Sequence, residues 1–496
     1  MHPLRWLITH ATAAALFVAS LSPPMAAESP FSGGGIPDLP DFGDSAATAL
    51  TPAQEKRLGQ AFMRSVRSSE KVVYDPLLTE YVQSLGRRLA AANNAGGSFT
   101  FFLIDDPTIN AFAGPAGHIG VNTGLVLTTE TESELAAVVA HEIAHVTQKH
   151  LLRTFEAASQ LSIPQAAVLL AALALGAAAG GSAGIAAAIG GQAALIQDQI
   201  NFTRGNEQEA DRVGMQILAD SSFDPRAMPT FFERMGRATR AYATVLPEFL
   251  RTHPVTTSRI ADAQGRAEKF PYRQVADDRR YYLARATLRV QQARTPDEAI
   301  QAFRSALNDH RYQDEPSERY GYALALMRGR QFDAARRELD RLRSEEPTRV
   351  EYVVTSARLH VRTNQVERGL AELEQASSRM PGSHPVRVEL GETLLAAGKA
   401  ERAAKVLEPL AKSQADNPQV MRLMAQAAGQ AGRRAEGHQY MAEYYYLTGA
   451  VDSAVLQLEI GLKQPGVTFY HSSVMEARLA ELKKEAEELK KEKKRL

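Results

Sequence analysis

The chain has 496 residues, an apolar fraction of 44% and 57 basic side chains against 57 acidic ones, so it can bury more than one core and carries no net field toward nucleic acid or an anionic surface. Cysteine is absent, which excludes disulfides, a thiol nucleophile, thiolate zinc ligands and lipid attachment through an N-terminal cysteine. Any metal must rely on histidine and carboxylate.

Residues 1–27 read as a secretory signal: Arg5 in a short n-region, an apolar run from Ala13 to Ala19, then Ser22-Pro23-Pro24-Met25-Ala26-Ala27. Cleavage is expected near Ala27, although Met25 and Pro24 are larger than the usual small residue, and the lone Trp6 would leave with the signal. Uncleaved, the segment would be a membrane anchor. Residues 28–50, rich in Gly, Pro, Ser and Asp without an apolar period, read as a flexible lead. Helices are expected from Thr51-Pro52, an N-cap followed by proline at N1, and from Pro76. The best strand is 99–104, paired with 118–122. An exposed strand edge just before a catalytic helix could pair with an extended peptide; a core strand with no free edge is the alternative.

The most informative motif follows. Thr131-Glu132-Ser133-Glu134 reads as a capping box, opening a helix of about twenty residues that contains His141-Glu142-Ile143-Ala144-His145. Residues four apart lie about 40° from each other around a helix, so His141 and His145 share a face. Glu142 stands beside them, placed to take a proton from a metal-activated water without itself occupying the metal. A catalytic zinc takes three protein ligands and keeps a fourth position open. Glu207 and Asp211, four apart in a second helical stretch over 206–215, supply candidates: Glu207 as third ligand and Asp211 as the outer carboxylate that orients a ligating imidazole. Glu209 points elsewhere. The alternative for this stretch is an exposed acidic helix paired with Arg204 and Arg212.

Between these motifs, residues 157–197 carry no charge. Glycines break the stretch into pieces too short for two membrane spans, which favours a helical hairpin. It could pack as core, touch a membrane surface peripherally, or wall the substrate groove.

Together these residues resemble the M48 zinc endopeptidases, in which a Glu-x-x-Ala-Asp segment, here Glu207 to Asp211, supplies the third ligand. Asn110-Ala111-Phe112-Ala113, Gly120-Val121-Asn122-Thr123-Gly124-Leu125, Asn201-Phe202-Thr203-Arg204 and Thr252-His253-Pro254 with Arg259 fit the same family, especially its periplasmic branch with tetratricopeptide repeats. The resemblance implies that His253 can approach the metal, either as a fourth ligand that suppresses turnover until it swings away or as a donor to the developing oxyanion. His118 and His150 have no partner at ligand spacing and read as structural or exposed.

Beyond residue 277 the pattern becomes helix pairs. Gly329, Asn364, Gly398 and Gly432 recur at intervals of 35, 34 and 34 at turns, the small residues Ala335, Gly369, Ala403 and Gly437 follow them, and Pro347, Pro381 and Pro418 end repeats. The run 476–496, rich in Lys and Glu, reads as a solvated helix that frays, with a partner-binding tail as the alternative.

The fold expected is therefore α+β, mostly α: a zincin-type metalloprotease domain with a small β-sheet over 51–270, an all-α tetratricopeptide solenoid over 277–475 and a charged C-terminal helix. One zinc ion per chain would be held by His141, His145 and Glu207, with Glu142 and Asp211 catalytic and His253 a regulatory or fourth ligand. By resemblance the enzyme would work in the periplasm at the outer membrane, on unfolded or stalled outer-membrane proteins, its repeats docking them or the assembly machinery. The alternative is a zinc-containing chaperone or scaffold whose proteolysis is minor.

Overall fold

The computed structural model describes residues 50–92, 98–151, 162–174, 204–241 and 248–493. The expected signal (1–27), the lead up to residue 49, most of the uncharged stretch and residues 201–203 lie outside the described residues.

Thr51 caps α1 (Pro52–Ser69) with a full capping box: its side chain accepts from the Gln54 amide, and the Gln54 side chain accepts from Thr51 N at 2.8 Å. Asp75 starts α2 (Pro76–Ala92) by accepting from the amides of Leu77 and Leu78. Three strands follow, β1 (Thr100–Ile104), β2 (Ala111–Ala113) and β3 (His118–Asn122), in the order β1-β3-β2. The expected pair is present: β1 runs parallel to β3, from Thr100 opposite His118 to Ile104 opposite Asn122, and β2 joins β3 antiparallel. The outer side of β1 is already bonded, since Val73 N donates to Leu103 O and Asp105 N to Lys71 O, both at 2.9 Å. On the outer side of β2 no strand pairs among the described residues. This makes β2 the edge.

Helices α3 (Thr123–Thr128), α4 (Glu132–Thr147), α5 (Ile163–Ala174), α6 (Arg204–Asp220), α7 (Ala227–Ala241), α8 (Glu248–Thr252) and α9 (Thr257–Ala267) complete this part. Helix α4 runs through the middle, and its Leu135, Val138, Val139 and Ile143 share one core with Leu85, Phe101 and Phe231. Helix α5 is the described part of the uncharged stretch. Its Ala166, Ala167, Leu170 and Ala171 pack against Leu58, Phe62 and Phe112, so this portion is core. No described helix is long and apolar enough to cross a membrane.

Twelve helices, α10 (Arg279–Gln292) to α21 (Phe469–Lys493), then stack in pairs. The turn period is more regular than expected. Four turns of the series carry a left-handed residue, Arg330 (φ 58°), Asn364 (59°), Gly398 (70°) and Gly432 (80°), each 34 from the next, while His310, Gly449 and Gly466 are left-handed outside that spacing. Gly329 has φ −80° and only ends its helix, so the first turn is made by its neighbour and the apparent interval of 35 disappears. Pro418 occupies the first turn of a helix (Pro418–Gln430) rather than the end of a repeat. The terminal helix also differs from expectation. It begins at Phe469, buries Met475, Leu482 and Ala486 against Ala454 and Leu458, and joins Glu485 to Arg64 at 2.6 Å. Apolar residues spaced seven and four apart hold one face of the charged run in place.

Helix α10 buries two faces. Tyr281, Ala284 and Leu288 enter the core that surrounds α4, while Leu283, Ala286 and Val290 enter the first repeat core. Tyr281 Oη donates to Thr129 O at 2.8 Å, just before α4. Replacing Leu288, which is 1% exposed, by Ala is expected to cost about 3 kcal/mol. Urea unfolding should show zinc release and loss of repeat helicity shifting together, because one helix serves both cores.

Candidate active site

Helix α4 carries the central motif. Thr131 caps it, accepting from Glu134 N at 3.2 Å, but the Glu134 side chain accepts from Glu130 N (2.8 Å) and Arg234 (2.8 Å) instead of returning to Thr131. The expected capping box is thus half formed, and the helix has sixteen residues where about twenty were expected. It stops because Lys149 adopts φ 54°.

Helix α6 crosses α4 closely. A Cβ at Gly214 would lie 3.1 to 3.2 Å from the backbone of Ala140 and His141, so only glycine permits this approach without displacement. Glu207 and Asp211 lie seven and three residues before Gly214, on the face that meets α4. Both carboxylates are buried, which overturns the exposed-helix alternative. Neither pairs with Arg204 or Arg212 in the way that alternative required. Their cation is Arg259 on α9, whose Nε and Nη2 reach Asp211 Oδ2 and Oδ1 at 2.7 Å each, and whose Nη1 reaches Glu207 Oε2 at 2.7 Å and Pro254 O at 2.8 Å.

Around this contact the donor atoms converge. His141 Nε2 lies 3.0 Å from His145 Nε2 and 3.5 Å from Glu207 Oε2; His145 Nε2 lies 3.4 Å from Glu207 Oε1. His253 Nδ1 adds a fourth donor, 3.0 Å from Glu207 Oε1 and 3.4 Å from His141 Nε2. Four ligands about 2.0–2.1 Å from one tetrahedral zinc are separated by about 3.3 Å, so these spacings suit that ion. Two nitrogen lone pairs facing each other at 3.0 Å also call for a cation or proton between them. The donor set, three imidazoles and a carboxylate, is the zinc chemistry left to a chain without thiols.

The supporting atoms follow. His141 Nδ1 is 3.0 Å from Asp211 Oδ1, so its other nitrogen is turned to the metal position. Glu142 accepts from the Ala113 backbone on β2, and its Oε1 is buried without a hydrogen-bond partner among the described residues, 3.5 Å from His253 Nε2. Burial pushes the Glu142 carboxyl above its usual range, opposed by His253 and His141. Burial would by itself raise Glu207 too, but the facing His253 and His141 hold it well below the carboxylate range. Burial works against the charged form of His141, yet hydrogen bonds to Asp211 and Glu207 raise its pKa to about 10 in the metal-free protein. The ring of Phe249 stacks on His253 with centroids 5.1 Å apart, and His253 N donates to Phe249 O at 2.7 Å, fixing this histidine at the end of α8.

The sequence pattern of Peptidase family M48 matches residues 76–267, and that of a tetratricopeptide repeat matches 360–427. The beta-barrel assembly-enhancing protease of Escherichia coli (strain K12) is 35% identical over 454 residues, covering 91% of this chain and 92% of that one. The chain belongs to the M48 metalloendopeptidases. A putative beta-barrel assembly-enhancing protease of Vibrio cholerae is 44% identical over 312 residues, 62% of this chain and 64% of its own. The mitochondrial metalloendopeptidase OMA1 of Schizosaccharomyces pombe is 30% identical over 216 residues, 42% of this chain and 59% of that one. As an M48 enzyme the protein is a zinc metalloendopeptidase.

Two supporting residues of this M48 site escaped the sequence reading. Arg259 was noticed only as part of a motif, with no sign that one guanidinium would bind both acids and the loop of His253. His150, read as structural or exposed, is fully buried with Nδ1 3.0 Å from His145 Nδ1. Its spacing from His145 gave no signal, because the helix ends between them. His118 is structural, with Nδ1 2.7 Å from Pro115 O. Arg259→Lys should weaken zinc binding about tenfold and lower the melting temperature of the metal-free protein, since one ammonium cannot span Glu207 and Asp211; chelator competition and calorimetry would measure the two effects.

Proposed function

We propose that this zinc metalloendopeptidase works in the periplasm, in the quality control and assembly of outer-membrane proteins, with His141, His145 and Glu207 as zinc ligands. The observation that carries the site assignment is the convergence of these donors, together with His253, within 4.8 Å of one another and beside an unpartnered Glu142 oxygen. Bound there, zinc would supply the Lewis acid that acidifies water and polarises a peptide carbonyl. Glu142 takes the proton of the attacking water and returns it to the leaving amine. Asp211 keeps the His141 ring oriented, and Arg259 offsets part of the charge of the acid pair.

The edge of β2, unpaired with any strand among the described residues, ends at Ala113, whose backbone touches Glu142. A substrate strand added along this edge would be held by backbone hydrogen bonds with its scissile bond near the base, which selects extended, unfolded chain over sequence. A cleft of about 870 Å³, lined by Lys56, Phe99 and Val146 from the protease part and Lys412, Tyr446 and Arg478 from the repeats, offers such a chain, or a partner in the assembly machinery, a surface shared by both parts. The role in outer-membrane protein assembly is carried over from the Escherichia coli relative's name and from the repeats, which commonly bind proteins. A scaffold function with minor proteolysis is the competing reading.

Glu142→Gln is expected to bind zinc stoichiometrically and to lose at least a hundredfold in cleavage of an unfolded outer-membrane protein; full complementation in cells by that variant would favour the scaffold. For His253 the donor distances support the fourth-ligand role. His253→Ala should raise the initial rate of cleavage while weakening zinc affinity, whereas a fall in rate with unchanged affinity would assign it to the oxyanion instead.

A further inference from the structure

We propose that His150 and Glu209 position His145, as Asp211 positions His141. The inference rests on His145 being a zinc ligand.

The sequence of a continuing helix would place residue 150 about 140° around the axis from residue 145, out of reach. The left-handed backbone at Lys149 breaks that continuation and brings the His150 ring beneath His145, with centroids 4.9 Å apart and planes at 75°. Both rings are buried. The Nδ1 atoms are 3.0 Å apart, and His150 Nε2 is 3.3 Å from Glu209 Oε2 on α6.

These distances fit one assignment of protons. For His145 Nε2 to offer its lone pair to a metal, its proton must reside on Nδ1. That N–H donates to His150 Nδ1. His150 then holds its own proton on Nε2 and donates it to the Glu209 carboxylate. Each of these two contacts then has one donor and one acceptor, and the chain ends on the Glu209 carboxylate. Helix α6 thereby supports the metal position three times: Glu207 directly, Asp211 through His141, and Glu209 through two rings. The motif's two histidines thereby both receive support from this helix.

The test uses the full-length protein and two measurements, zinc affinity by competition with a chromophoric chelator and the melting temperature of the metal-free form. Glu209→Ala should weaken zinc about tenfold and leave metal-free melting unchanged, because the side chain lies at the surface edge. His150→Phe, which keeps the ring and removes the acceptor, should weaken it at least as much. Glu209→Gln should recover most of the affinity, since its amide oxygen can accept the same bond. Wild-type affinity in both Glu209→Ala and His150→Phe would overturn the proposal, as would a loss in Glu209→Ala accompanied by an equal drop in metal-free melting. His145→Ala separates the two levels: if it binds zinc like the wild type, the ligand assignment fails; if it loses zinc while Glu209→Ala does not, only the positioning role fails.

Discussion

The close crossing of α4 and α6 at Gly214 is the constraint on which the site depends. It brings two buried carboxylates against two buried imidazoles, an arrangement whose desolvation would be prohibitive without compensating charge. Arg259 provides part of that compensation from a third helix, and the remaining excess of lone pairs is what a divalent cation would satisfy. Metal affinity and tertiary packing are therefore the same property here. A side chain at position 214 would push the helices apart by a few tenths of an ångström and strain both.

What could be read in the sequence follows the range of the interactions involved. The pairs His141/His145 and Glu207/Asp211 lie one helical turn apart, so local periodicity was enough to place each pair on a face, and the apolar residues around them marked helices. The 34-residue repeat was legible for a similar reason, although Arg330 shows that the left-handed turn position can be occupied by a residue that does not advertise it. Arg259 and His150 were obscure because their roles arise from contacts across elements or from a helix that stops between two residues. The packed face of α21 was hidden by composition: the lysines and glutamates are conspicuous, while Met475, Leu482 and Ala486 are sparse.

The sheet shows a division of labour between its two outer strands. The backbone of β1 is satisfied by residues 71 to 73, and β2 leaves its outer side to the site. Helix α5 packs behind β2 through Phe112, so the edge is supported from the apolar side. The described part of the uncharged sequence, which could equally have signalled membrane contact, here packs on that strand as core.

Helix α10 has a consequence for biogenesis. Because Tyr281 and Leu288 fill the space beside α4, a growing polypeptide cannot finish its hydrolytic half until residues beyond position 288 have been made and delivered. A product truncated before that point would hold its histidines on an incomplete scaffold. Completion of the hydrolytic half is thereby tied to synthesis of the first repeat helix.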